Sequence, residues 1–282
     1  SESRLLMNTQ EKQPLIIRLI RSRTIGNIPL TAILLTITII AWMIMLDHYN
    51  MTSSNGMVLG TFGWYVGMWV TMTAAMMLPS VTPMVITFAR VSAERTRNLK
   101  IPLVSTWVFL IGYLIAWTTY GLIAYGLYLI IDLLNLGFLA WNQQGPIVAG
   151  LTVALGGLYQ LTPLKQACLR HCRNPLHYVL NGWRSGRLGA IRMGVEHGFH
   201  CVGCCWGLMV ILFAVGIMNL FWMGIITLLT FLEKILPSGE YFSKIIGIGL
   251  IVLGIWIVFD PSSVPFLVEP DISSHGTHTL SE

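Results

Sequence analysis

The chain has 282 residues, of which 55% are hydrophobic and only 10% are charged, and its mean hydropathy is +0.70. So much apolar surface excludes an ordinary soluble domain, because one core could not bury it. The formal net charge of +5 would suit a nucleic-acid binder. The Lys and Arg residues flank apolar segments and form no separate basic domain, however, so no nucleic-acid partner is expected.

The N-terminal segment, residues 1–27, is predicted to be a basic amphipathic stretch on the cytoplasmic face of a membrane. Between Pro14 and Arg23 apolar residues alternate with arginines, a pattern that binds anionic lipid surfaces. The first long apolar run, 30–46, exceeds the core of a signal peptide and is followed by no small-residue cleavage site. We therefore predict a retained first helix.

Successive apolar runs predict one transmembrane domain over residues 28–260. A spanning helix needs roughly 20 apolar residues, and suitable runs occur at 28–46, 64–88, 102–131, 146–165, 197–216, 219–236 and 243–260. The expected fold class is all-α, a polytopic transmembrane helix bundle of about seven spans in a lipid bilayer. Residues 261–282 are predicted to form a weakly structured extracytoplasmic tail.

Basic residues predict the orientation of these spans. They concentrate in the N-terminal segment, in the loops after the second and fourth spans, and at Lys234 and Lys244. The connections 47–63, 132–145 and 217–218 contain no Lys or Arg. Because cytoplasmic loops carry the excess of these residues, the N-terminus is expected inside and the C-terminus outside.

The second span contains methionines at helical spacing and two prolines. Met68, Met72 and Met76 recur every four residues and could share one face. Thioethers bind Cu(I), but methionine also fills gaps between helices, and packing is the preferred interpretation. Pro79 and Pro83 each free a backbone carbonyl, which indicates a kink or, in a transporter, the lining of a path.

The strongest candidate site combines thiols and imidazoles from two segments, one at the end of the fourth span and one at the start of the fifth. If a helix continues past Pro163, the first group shares one face. Because the two spans are antiparallel, we expect both groups to converge near the cytoplasmic ends of these helices. The candidate metal ligands are Cys168, His171, Cys172, His197, His200, Cys201, Cys204 and Cys205.

These ligand types limit the choice of metal. Thiolate with imidazole suits a soft ion such as Cu(I), or Zn²⁺, and copper is the preferred ion of the two. A reducing compartment would keep the thiols unpaired. Two alternatives remain: each cysteine could be a small buried hydrophobe, or Cys201 and Cys204 could form a redox pair, although a thioredoxin-like βαβ context is absent.

Other ionisable residues fall within or beside apolar spans and need a partner or water at membrane depth. Glu196 is interpreted as an acceptor for a ligating histidine or as an ion-pair partner of Arg192. Glu233 and Lys234 are neighbours near a helix end and are interpreted as a pair at the membrane interface, in preference to a proton relay.

Three stretches resemble a known family: Trp69–Pro83 (WVTMTAAMMLPSVTP), Tyr159–Cys172 (YQLTPLKQACLRHC) and Gly198–Met209 (GFHCVGCCWGLM). Together they resemble the bacterial family of predicted metal-binding integral membrane proteins of unknown function, over about residues 60–260. The resemblance implies a metal and a bacterial cytoplasmic (inner) membrane, without naming the ion or a reaction. The positions that match are Cys168, His171, Cys172, Cys201, Cys204 and Cys205.

The leading hypothesis is therefore an integral membrane protein that handles copper, or zinc, and that exchanges it with a membrane protein or a metallochaperone. A metal-dependent membrane oxidoreductase, or a subunit of one, would use the same ligands. A structural subunit of a membrane complex with inert cysteines is the third hypothesis. No nucleotide-binding loop or haem-attachment motif is present to decide among them, and the lack of a P-loop argues against an ATP-driven pump.

Overall fold

The structure, a computed structural model, describes residues 28–52, 62–95, 102–134, 145–215, 220–236 and 238–260. All regular structure in these ranges is helical, as the sequence predicted. The predicted basic segment 1–27 and tail 261–282 lie outside the described residues. The helices are α1 (Ile28–Thr52), α2 (Phe62–Arg95), α3 (Pro102–Leu133), α4 (Gly145–Gln160), α5 (Pro163–Arg173), α6 (Pro175–Asn181), α7 (Gly186–Val215), α8 (Leu220–Ile235) and α9 (Gly239–Phe259).

Five of these helices, α1, α2, α3, α7 and α9, contain stretches long and apolar enough to cross a membrane. Helices α4 and α5 meet the same criterion only as a pair, bent by 64° at the short break between them. The described residues thus supply five candidate spans, or six with the bent pair. The predicted run 219–236 corresponds to α8, which has 16 residues. A total of seven spans and the orientation of the termini stay predictions.

Helix α2 continues through both of its prolines, and the carbonyl freed by one of them has a new partner. Pro79 has no N–H to donate to the carbonyl of Ala75, four residues earlier. The indole Nε1 of Trp42, on α1, donates to that oxygen at 3.0 Å. The freed group therefore joins α1 to α2. Met72, Met76, Met77 and Met84 are buried in the same core and Met68 packs against it, which agrees with the packing interpretation of the stripe.

The chain breaks before Pro163, so the predicted fourth span, 146–165, is not one helix. Thr162 caps α5: its hydroxyl accepts from the N–H of Lys165 at 3.4 Å and donates to the carbonyl of Tyr159 at 2.7 Å. Pro163 occupies the first turn of α5, where its missing N–H costs no helical hydrogen bond. The new helix direction carries Cys168 and Cys172 toward α7.

Helix α7 begins at Gly186, well before the predicted start of the fifth span at residue 197. The predicted start was late because Arg187 and Arg192 lower the hydropathy of the first turns. As a consequence the His and Cys residues of α7 occupy its middle and not its end. Helix α7 packs closely along α3, since a Cβ at Gly194 would overlap the carbonyl oxygen of Phe109.

Candidate metal centre

Three cysteines from α5 and α7 form the centre of the candidate site. The sulfur atoms of Cys172, Cys201 and Cys204 all lie within 4.8 Å of one another. Cys172, on α5, is 3.8 Å from Cys204 between sulfurs. The structure thus brings three thiols of the two predicted Cys/His groups together from α5 and α7, and their role as metal ligands stays a prediction.

The sulfur of Cys201 is surrounded by polar groups although its residue is completely buried. The ammonium Nζ of Lys234, on α8, donates to it at 3.1 Å, and the hydroxyl of Tyr113, on α3, lies 3.2 Å away. Lys234 also donates to the hydroxyl of Ser80, on α2, at 3.0 Å. An adjacent cation favours a thiolate, and the thiolate is the form that binds metals. Helices α3 and α8 thus meet α7 at this sulfur, and α2 is connected to it through Lys234.

Cys204 and Cys205 extend the cluster along α7. Cys204 donates its S–H to the carbonyl of Cys201 at 3.1 Å, and its sulfur is 3.3 Å from that of Cys205. All five cysteines of the chain are free, so the expectation of unpaired thiols is confirmed. Metal binding by Cys204 requires loss of the proton that it shares with the backbone.

The remaining predicted ligands lie around the triad and not in it. Cys168 is half-buried, with its sulfur against Gly203 of α7. The rings of His171 and His200 stack with centroids 4.3 Å apart. The buried ring of His197 packs against aromatic rings on α3 and α6. Within the described part of the chain, its Nδ1 has no hydrogen-bond partner.

Two charged groups differ from their predicted roles. Glu233 does not pair with its neighbour Lys234; it forms an ion pair with Lys165 at 2.7 Å, and both side chains are buried. Consecutive helical residues point in different directions, so Glu233 faces α5 while Lys234 faces the thiols. Lys165 and Lys234 were both counted among the cytoplasmic basic residues in predicting the orientation, and both instead make internal contacts.

Glu196 matches one of its two predicted roles. Its carboxylate pairs with Arg192 and with Arg184, each at 3.1 Å. His200 uses the backbone carbonyl of Glu196 instead of the carboxylate, with Nδ1 at 2.7 Å from that oxygen. The carboxylate therefore holds the start of α7, and the backbone orients the histidine.

Sequence reasoning missed three groups that contact Cys201 or support its environment: Tyr113, Ser80 and Lys234 as a thiol partner. No spacing rule connects them, because they lie on three different helices. One signal was available for the nearby ion pair, since Lys165 and Glu233 are opposite charges within predicted spans and each requires a partner there.

The donor set fits a soft monovalent metal ion. An ion bonded to three sulfurs in a plane at about 2.3 Å would hold them about 4 Å apart, close to the 3.8 Å between Cys172 and Cys204. Thiolates select Cu(I) or Zn²⁺ over hard ions. Three sulfurs satisfy three-coordinate Cu(I), whereas structural zinc needs a fourth ligand.

A family comparison agrees with this chemistry. The model of the PpoB2 copper chaperone family matches residues 66–257, which include every helix that supplies a group to the thiol triad. Neither the curated proteins nor the solved structures contain a match. The matched region covers well over half of the chain, and on that ground this protein belongs to the PpoB2 copper chaperone family.

Proposed function

We propose that this protein is an integral membrane copper chaperone that holds Cu(I) on the thiols of Cys172, Cys201 and Cys204. The single observation that carries the proposal is the approach of these three sulfurs to within 4.8 Å of one another. Copper is the cargo in this proposal, received from one protein and passed to another. The family description favours this role over a membrane oxidoreductase or a structural subunit.

The proposed charge balance suits a carrier. Three thiolates and one Cu(I) leave a net charge of −2, and the ammonium of Lys234 next to Cys201 offsets part of it. Release of Cu(I) breaks only the copper–sulfur bonds. The ion can therefore pass to a recipient protein by ligand exchange with that protein's thiols or imidazoles.

The membrane setting belongs to the same proposal. Large apolar side chains such as Ile39, Ile123 and Ile245 are more than half exposed on their helices, which suits contact with lipid. We propose seven spans in a bacterial inner membrane, with α4 and α5 as one bent span and α8 as a short one. The N-terminus would lie in the cytoplasm and the C-terminus outside.

The proposal is tested on full-length protein purified anaerobically in detergent after growth with copper and zinc. Elemental mass spectrometry should find about one copper per chain. The variant Cys201→Ser/Cys204→Ser should lose nearly all of it, because two of the three soft ligands are gone. Cys168→Ser is the matched control, since it removes a neighbouring thiol outside the triad.

A preparation without any transition metal would refute the proposal, as would copper that survives the double substitution. Stoichiometric zinc in place of copper would keep the site and reject Cu(I) as its cargo.

A further inference from the structure

A cavity lies where α2 ends, α3 begins and the loop after α6 enters α7. Among the described residues, no cysteine or histidine lines it, so it is separate from the candidate metal centre. Its lining combines guanidinium, hydroxyl and aromatic groups from two helices and the loop. The polar and aromatic lining residues used below are Ser92, Arg95, Ser105, Trp183, Arg184 and Ser185.

The size of the cavity suits a small tetrahedral anion. Its volume is about 50 Å³, on a measure by which one water needs about 10–15 Å³. A group of about four or five heavy atoms therefore fits, which is the size of a phosphate group. Arg95 and Ser185 are exposed and form part of the lining, so the cavity can be reached from the surface.

Arg95 is held at this cavity by an aromatic ring. Its guanidinium carbon Cζ lies 5.2 Å from the centroid of the Trp183 ring. The ring face attracts the cation without cancelling its charge, and the N–H groups at the edge of the guanidinium plane can still donate. Phosphate oxygens accept from such a planar pair of donors in a bidentate arrangement.

Arg184 brings a second guanidinium to the cavity, and its carboxylate partner is shared. Its Nη2 lies 3.1 Å from Oε1 of Glu196, and Nε of Arg192 lies 3.1 Å from the same oxygen. One carboxylate thus serves two arginines. Residues 88–95 and 183–196 together contain five arginines and two glutamates, a net charge of +3. This end of the bundle therefore attracts anions.

The start of α7 and three hydroxyl groups supply further donors. A Cβ at Gly189 would lie 2.5 Å from the carbonyl oxygen of Arg184, so the glycine lets the loop lie against the first turn of α7. The first N–H groups of a helix have no helical acceptor and favour an anion. The hydroxyl groups of Ser92, Ser105 and Ser185 line the same cavity from α2, α3 and the loop.

We propose that this cavity binds a phosphate group, with Arg95 and Arg184 as its charged donors and the serine hydroxyls as its neutral donors. The inference goes beyond copper handling and does not depend on it. Two sources share this chemistry, the headgroup of an anionic phospholipid and free phosphate.

The position of the cavity favours the lipid source. In the proposed orientation the end of α2 and the start of α7 lie at the cytoplasmic face, where anionic lipids attract basic residues. Tryptophan is enriched at such interfaces between membrane and water, and Trp183 lies at this cavity. The lipid source rests on the proposed membrane setting, whereas the phosphate chemistry does not.

The test measures binding to full-length protein in detergent, freed of co-purified lipid, by native mass spectrometry. Short-chain phosphatidylglycerol, inorganic phosphate and diacylglycerol, which has no phosphate, are titrated separately. We expect a single phosphatidylglycerol to bind per chain and diacylglycerol not to bind. Arg95→Gln/Arg184→Gln should weaken binding at least about tenfold, because charge-assisted hydrogen bonds are lost. Tighter binding of inorganic phosphate than of the lipid would identify free phosphate as the source.

Two further variants separate a built cavity from general surface charge. Arg187→Gln/Lys244→Gln is the matched control, since it removes the same charge from two side chains that do not line the cavity, and it should bind like the wild type. Ser105→Leu keeps every charge and fills part of the cavity, so it should weaken binding.

Wild-type affinity in Arg95→Gln/Arg184→Gln or in Ser105→Leu would overturn the proposal, because binding would then come from surface charge alone. Binding of diacylglycerol as tight as that of phosphatidylglycerol would also overturn it, as would a wild type that binds neither phosphate compound. Cys201→Ser/Cys204→Ser should bind like the wild type, so a failure of the copper proposal leaves this test unaffected.

Discussion

Two lysines reach the interior of this helix bundle, and their partners differ in kind. Lys165, on α5, is completely buried and its ammonium contacts both oxygens of Glu233, at 2.7 and 2.8 Å. Lys234, the next residue on α8, meets the sulfur of Cys201 and the hydroxyl of Ser80. The ammonium of Lys165 is paired with a carboxylate, which carries the opposite charge, whereas the ammonium of Lys234 contacts a thiol and a hydroxyl.

The difference separates a structural pair from the contact for which we propose a function. A buried ion pair with both charges matched is satisfied without any ligand, and it joins α5 to α8. A lysine beside thiols is balanced only when a sulfur is ionised, which is the state that copper requires. Two consecutive residues of α8 therefore act on different parts of the site. Glu233 holds α5 in place through Lys165, and Lys234 places a positive charge beside the thiol of Cys201.

The largest expected effect is from breaking the structural pair. Glu233→Leu leaves the Lys165 ammonium buried without its carboxylate, and we expect a loss of about 3–5 kcal/mol in the free energy of unfolding. Lys165→Met/Glu233→Leu should recover most of that loss, because it leaves no unpaired charge. Thermal unfolding followed by tryptophan fluorescence in nanodiscs measures both.

Glu240→Leu is the control for that comparison, because it breaks a solvent-exposed pair with Arg170 and should change stability little. If Lys165→Met/Glu233→Leu were as unstable as Glu233→Leu alone, the loss of stability would come from altered side-chain packing between α5 and α8 and not from an unpaired charge.

The second effect is on copper affinity. Lys234→Met should weaken Cu(I) binding about tenfold, equivalent to about 1.4 kcal/mol, because the thiolate of Cys201 loses its neighbouring cation. Chelator competition gives the affinity, and Lys244→Met, which removes a cation that packs over Tyr241, is the control. Tighter binding in Lys234→Met would show instead that the ammonium competes with copper for the sulfur.

The smallest effect concerns the hydroxyl that positions Lys234. Ser80→Ala removes one of its two hydrogen-bond acceptors, and a single net hydrogen bond of about 0.5 kcal/mol corresponds to a change of about twofold in copper affinity. The same chelator competition measures it. A change as large as that of Lys234→Met would mean that Ser80 sets the position of the ammonium almost alone.

Much of the architecture could be predicted from local sequence. Apolar runs of membrane length and the scarcity of charge predicted an all-helical chain, and the described residues confirm it. The thiol character of the candidate site could also be predicted, because Cys201 and Cys204 are three residues apart in one helix and are therefore neighbours on its surface. Helix boundaries were predicted less well. Charged residues in the first turns of a helix such as α7 lower its mean hydropathy there, so the predicted span begins too late.

What the sequence alone determined is the inventory: the helices, the free thiols and the soft-metal chemistry that they permit. Each of these depends on residue type and on spacing within one helix. The tertiary structure decided which groups meet. The bend of 64° before Pro163 brings Cys172 to α7, the turn of α8 directs Lys234 to Cys201 and Glu233 to Lys165, and the crossing of α5 with α7 stacks His171 on His200. Contacts between distant helices depend on packing angles, and no local pattern contains them.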